Sequence, residues 1–176
     1  MYSAVFQACR LLPCAAEDIR ARTAMISRRA KYALRALVKL AQAGSATSVS
    51  ISELAESCAI PKKFLEQILL DLKRHGVVHS KRGKLGGYQL LKKSSDITFG
   101  RILRIVDGPI ALLPCLSKIA YRRCDDCTNE ATCEIRRVFA QVADSSRHIL
   151  DNTTLADAIE ARKKKPVVKS RKTQAA

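Results

Sequence analysis

Four cysteines fall within 19 residues of one another, in the pattern Cys115-x8-Cys124-x2-Cys127-x5-Cys133. Cytosolic proteins rarely keep disulfides, so clustered thiols point to metal binding or redox sensing, with free thiols or a reversible disulfide as the plainer alternatives. Thiolate ligands select zinc, copper(I) or iron–sulfur clusters. Arg122, Arg123, Arg136 and Arg137 flank the segment and are expected to favour the thiolate form. Spacing alone does not choose the metal: structural zinc often uses two paired knuckles, and one Cys-x-x-Cys is present here. Four thiolates satisfy a tetrahedral zinc or a whole cluster equally well. Cys58 reads as a small core residue, and Cys9 and Cys14 are assigned no role.

The second chemical signal is charge. Of the 176 residues, 32 are Lys or Arg and 16 are Asp or Glu, giving a formal charge of +16. From Leu72 to Ser95 there are seven basic residues and no acid, and from Arg162 to Lys172 seven more, again without an acid. A surplus so placed asks for an anion, nucleic acid first and an acidic membrane surface second. An enzyme acting on small neutral substrates is disfavoured. His75, His79 and His148 lie outside the cysteine segment, which leaves little for a metal-dependent enzyme to work with. No apolar run approaches the ~20 residues that span a bilayer, so a soluble protein with no membrane partner is expected; the location expected of a DNA-binding chain is cytoplasmic.

The elements that must position these groups begin abruptly at Met25. Residues 1–24 lack the basic start of a secretory signal and read as a leader upstream of a true start at Met25. Ser27 caps a helix to about Ala43, with Tyr32, Leu34, Leu37, Val38 and Ala41 as its apolar face. Ser50-Ile51-Ser52-Glu53 matches a capping box and opens a short helix through Ser57. Pro61 suits the first turn of the next helix, which carries Phe64, Leu65, Ile68, Leu69 and Leu72 and stops near Gly76. Two helices so tightly joined form a helix-turn-helix. Val77–Ser80 and Tyr88–Leu91 then flank Lys81-Arg82-Gly83-Lys84-Leu85-Gly86-Gly87, a two-stranded wing. The fold class is therefore mainly α: a winged helix-turn-helix over 25–95. Residues 96–160 hold a helix from Phe99 to Val106, the cysteine-rich loop and an amphipathic helix from about Glu134 to Leu150. A last short helix is capped by the Asn152–Leu155 segment, and 161–176 form a basic tail that reads as disordered. The stripe Ile135, Val138, Phe139, Val142, Ile149 and Leu150 is expected to face a second subunit, making a homodimer.

In a helix-turn-helix the second helix enters the major groove and its first residues meet base edges. Here these are Lys62, Lys63, Glu66 and Gln67. Lys can bond guanine, Gln adenine, and Glu can accept from cytosine; Glu66 on a solvated face is the bland alternative. Arg82 at the wing tip suits the minor groove, and Lys73, Arg74, Lys81 and Lys84 suit phosphate. The tail either adds nonspecific DNA affinity or solubilises the chain.

From Met25 to about Ile159 the chain resembles the Rrf-two family of winged-helix transcription regulators, of the IscR and NsrR type. The resemblance rests on Ser27–Leu37, Phe64–Leu69, the wing Ser80–Tyr88, Cys124–Arg136 and Leu150–Asp157. It implies a homodimer bound to an inverted-repeat operator in double-stranded DNA. Glu66, Gln67 and Arg82 would contact bases or the groove, with Ser27 and Arg29 added as DNA-facing candidates. It also implies an iron–sulfur cluster in the cysteine loop, 2Fe-2S in preference to 4Fe-4S. Some members use a His three residues past the last Cys as fourth ligand, and others an acidic residue from the partner's first helix. Here those positions are Arg136 and Lys31, neither of which ligates. The expected ligands are therefore Cys115, Cys124, Cys127 and Cys133, although the x8 spacing departs from the commoner shorter ones. Some members bind no cluster, so zinc and metal-free readings stay open. The function expected is a regulator, in the first instance a repressor, whose DNA affinity follows redox state, nitric oxide or iron.

Overall fold

The computed structural model describes residues 26–44, 47–83 and 86–164, the last three without their side chains. The leader 1–24, the tail beyond 164 and Lys84 lie outside the described residues.

Helix α1 (Arg28–Ala43) is capped by Ser27, whose Oγ accepts from the Ala30 amide, and is followed by Gly44. Its deep face matches the expected one only in part: Leu37 is buried as expected, and small residues share that face. Ala30, Ala33, Ala36, Leu37 and Leu40 are buried, whereas Tyr32, Leu34, Val38 and Ala41 are half-buried at the margin. Small side chains let neighbouring helices approach the α1 backbone closely, so the alanines face inward.

Helix α2 (Ile51–Cys58) is capped as expected, the Ser50 hydroxyl accepting from the Glu53 amide at 3.2 Å. The turn to α3 (Lys62–Arg74) passes through Ala59, whose φ of 52° is left-handed. Pro61 occupies the cap position just ahead of α3 rather than its first turn, and makes no side-chain cap bond. Leu65, Ile68, Leu69 and Leu72 are buried, while Phe64 rests edge-on against Tyr32 at 5.8 Å between ring centres.

Strands β1 (Val78–Lys81) and β2 (Gly87–Leu90) pair antiparallel, with Val78 opposite Leu90 and Lys81 opposite Gly87. Each is displaced by one residue from its expected span. Val77 is set apart because its amide bonds the Leu72 carbonyl, closing α3. The wing is tied down by a bridge absent from the sequence reading: Val49 and Tyr88 exchange both backbone bonds, at 3.0 and 2.8 Å. This approach explains Gly87, because a Cβ there would collide with the Val49 carbonyl.

Helix α4 (Phe99–Val106) is capped by Thr98. After the loop come α5 (Glu134–Asn152) and α6 (Leu155–Lys164). The main core crosses residue 95: Ile97, Ile102 and Leu155 are buried in the same cluster as Leu37, Leu54 and Leu69. A bridge between Thr98 and Thr154 seats α6 beside the start of α4.

Candidate DNA interface and cysteine cavity

The DNA-facing candidates divide by what holds them. Lys63, Glu66 and Gln67 are exposed on α3, and Lys62 reaches back to Ser52 on α2, Nζ to Oγ 3.1 Å. At the far end, Lys73 donates to the Ser80 hydroxyl at 2.6 Å, joining α3 to the wing, and Arg74 pairs with Asp71 at 3.3 Å. Lys81 and Arg82 are exposed at the wing. Two candidates are occupied inside the chain. Arg29 forms an ion pair with Asp71, and Ser27 bonds Asp107 through both its amide and its hydroxyl. The structure thus gathers the α3 and wing residues and gives Arg29 and Ser27 internal partners. His75, His79 and His148 are exposed, with His75 Nδ1 2.8 Å from the Asp71 carbonyl.

The four loop cysteines line a single cavity of about 450 Å³, with Asp126, Glu134 and Arg136 among its other walls. Each arrives by a different device. Cys115 lies in a 3-10 turn (Pro114–Leu116) and is buried with Leu116 and Ala143 of α5, against which Cys124 also packs. Cys127 closes a turn onto Cys124, its amide donating to the Cys124 carbonyl at 3.2 Å. Cys133 caps α5, its Sγ accepting from the Arg136 amide at 3.4 Å. The thiols are free. Among the described residues no three of His, Cys, Asp and Glu are drawn close enough to hold a metal ion.

The expected thiolate-favouring field is not found at Cys124, whose thiol titrates above its ordinary range. The neighbouring Cys115 thiol is the main cause, followed by burial. Two of the four flanking arginines are engaged elsewhere: Arg123 donates to the Thr128 carbonyl at 2.7 Å, and Arg136 pairs with Glu130 at 3.5 Å. Glu130 also accepts from the Tyr121 hydroxyl, which holds that phenol above its usual range. These contacts brace the loop and went unseen in the sequence, since Tyr121 and Glu130 carry no pattern that pairs them.

Among the described residues most of the apolar stripe along α5 is exposed, with Leu150 half-buried. Ile135 is 61% exposed, Val138 57%, Phe139 39%, Val142 43% and Ile149 61%. Among the described residues no helix is long and apolar enough to cross a membrane.

Residues 26–161 match the family described as Rrf2, iron-dependent transcriptional regulator. An rrf2-like HTH-type transcriptional regulator of Rhodobacter capsulatus is 49% identical over 140 residues, covering 78% of this chain and 93% of that protein. Among solved structures, CymR, the global cysteine regulator of B. subtilis, superposes with a TM-score of 0.65 at 29% identity, covering 77% of this chain and 96% of the other. IscR of T. potens does so with a TM-score of 0.60 at 28% identity, covering 78% and 87%. The winged-helix fold and the description of these relatives as regulators agree with the reading from sequence. The chain belongs to the Rrf2 family of DNA-binding transcriptional regulators.

Proposed function

We propose that this regulator is a homodimeric repressor of inverted-repeat operators whose DNA affinity is set by an iron–sulfur cluster in the cysteine cavity. The observation that carries the reading is the convergence of Cys115, Cys124, Cys127 and Cys133 on one cavity. The donor set fits a cluster in type and number, and binding would draw the four sulfurs inward from their present spacing. Such a cluster supplies one-electron redox chemistry and reactivity toward oxygen and nitric oxide; 2Fe-2S is favoured over 4Fe-4S. The loop runs directly into α5, whose exposed stripe is suited to a second copy. Two reading helices then meet two half-sites at fixed spacing. Lys62, Lys63, Glu66, Gln67 and Arg82 would read the grooves, with Lys73, Arg74 and Lys81 on phosphate.

Anaerobic purification tests the cluster. A brown protein with visible absorbance, and with iron and labile sulfide in equal amounts, is the expected result. A colourless protein carrying zinc overturns the cluster and leaves a zinc-stabilised regulator. Val138→Asp is expected to shift the dimer to monomer in sedimentation; an unchanged distribution removes α5 from the interface.

A second reading has its own observation. Cys124 already packs against the cluster that contains Cys115, an arrangement suited to direct thiol sensing without metal. A relative's description as a global cysteine regulator is compatible with that alternative. Colourless, metal-free protein whose DNA binding responds to peroxide would select it.

A further inference from the structure

The cysteine cavity and the reading helix are joined inside one chain by a short run of polar contacts. Arg147 on α5 is its first member. The Arg147 side chain is only 13% exposed, and its Nη1 donates to the Leu116 carbonyl at 3.2 Å. That carbonyl belongs to the residue after Cys115, in the same 3-10 turn. Arg147 Nη2 is held at 2.5 Å by Asp144, one turn back along α5. A shift of the Cys115 turn therefore pulls on α5 through a side chain with little freedom to absorb it.

One turn further along α5 lies Asp151. Its two oxygens accept from both terminal nitrogens of Arg104 on α4, at 2.5 and 2.9 Å. This two-point geometry fixes orientation as well as distance. The carboxylate also rests on Gly100, where an added Cβ would overlap it. Helix α4 packs against α5 and also against α1 and the reading helix α3. From α4, Arg101 Nη2 reaches the His75 carbonyl at 3.4 Å, at the corner where α3 ends and the wing begins. No other ion pair among the described residues joins α5 to the winged-helix elements.

We propose that the Arg104–Asp151 pair is a positioning strut that carries the state of the cysteine loop to the reading helix of the same chain. The inference rests on the reading of that loop as the sensor. It adds a route separate from any change in dimer spacing, and gives a role to two residues that touch neither the cavity nor the α3 face. Asp151→Asn removes the charge at constant volume. Gly100→Ala displaces the carboxylate without changing any charge, so the two variants attack one contact from opposite sides.

The test measures affinity for a duplex operator selected from random sequences, by fluorescence anisotropy, in two loop states. One state is reduced apoprotein; the other is protein loaded anaerobically with ferrous iron and sulfide, or oxidised with hydrogen peroxide if no cluster forms. In the wild type the two states are expected to differ by about 5–150-fold, the usual range for coupled sites. In Asp151→Asn and Gly100→Ala that ratio falls toward one, while metal loading or thiol oxidation proceeds as in the wild type. Variants that keep the wild-type ratio overturn the strut and leave the sensor intact. A wild type whose affinity ignores every loop state overturns the sensor reading, and the strut with it. Amide hydrogen exchange on the wild type provides a check that needs no variant. Exchange should differ between the states in Phe99–Val106 and at the His75–Val77 corner. A difference confined to residues 113–152 overturns the strut even if both variants fail to fold.

Discussion

The winged-helix region closes its core within the chain: Leu37, Leu54, Leu65 and Leu69 are all at 0% exposure. Beyond residue 107 the balance reverses. There the separate core is Cys115, Leu116 and Ala143, and the longest helix turns five large apolar side chains outward. Fully burying such a side chain is worth about 1.5–3 kcal/mol, so the second region forgoes stabilisation that the first already has. The first core is closed among the described residues, with Leu155 of α6 among its members, whereas the second region leaves an exposed apolar stripe along α5 and a cavity lined by free thiols.

That contrast breaks most visibly in the core. Leu37→Ala is expected to cost about 2–5 kcal/mol of unfolding free energy, as buried leucines do. Phe139→Ala should stay within about 0.5 kcal/mol in dilute protein, the usual range for surface positions, and cost more as concentration rises and dimer forms. Urea unfolding at several protein concentrations checks both. Equal losses in dilute protein would mean that α5 is not an open face.

On the DNA side, Arg82→Ala should weaken operator binding by about 1–3 kcal/mol if the wing tip reads a base. Titrating the alanine variant against the same operator measures this, and unchanged affinity removes Arg82 from the interface. Arg29→Ala offers the opposing case. Its guanidinium already pairs with Asp71, so substitution should act on folding stability more than on the salt dependence of binding.

A smaller effect is expected in the helix-turn-helix turn. Ala59 holds a left-handed backbone, which costs a non-glycine residue roughly 1–2 kcal/mol. Ala59→Gly relieves that strain but adds freedom to the unfolded chain. A net gain of about 0.5–1 kcal/mol in thermal unfolding is expected, and a loss would show that the turn is not strained.

The two regions also differed in how much the sequence disclosed. Ser27 and Ser50 announced helix starts because caps act over three residues, and the α3 periodicity located Leu65, Ile68, Leu69 and Leu72. The α1 face was legible in part: Leu37 was placed correctly, but pattern reading weights large side chains, whereas close helix packing also selects Ala30, Ala33 and Ala36. The cysteines were legible as a donor set, since type and spacing are local properties. Their supports were not: Arg147 to Leu116, Arg104 to Asp151 and Arg136 to Glu130 depend on where a long loop returns. At Cys124 the expected effect of the flanking arginines is absent, and two of them, Arg123 and Arg136, are spent on other partners.

Acid should separate the regions most gently. Asp144, Asp151 and Asp157 all titrate below the ordinary carboxylate range, and all lie on α5 or α6. For Asp151 the hydrogen bonds from Arg104 are the main cause; Arg147 and Lys118 add to the effect and burial opposes it. A lowered folded-state value means that the stabilisation is fully present above the unfolded value, about 3.9 for Asp. It is lost as pH falls through the lower folded value. Arg104, itself shifted upward chiefly by the same hydrogen bond, stays charged throughout that window. The stability difference between wild type and Asp151→Asn should therefore be flat from neutrality to about pH 5 and shrink below the unfolded value. Thermal unfolding of the pair across that range measures it. The amplitude should be small, because Asp151 keeps 43% of its side chain in solvent and solvent screens the pair. A difference that instead grew in acid would mean that Asp151 is worth more protonated than paired, and that α5 is held to the winged helix by something other than this contact.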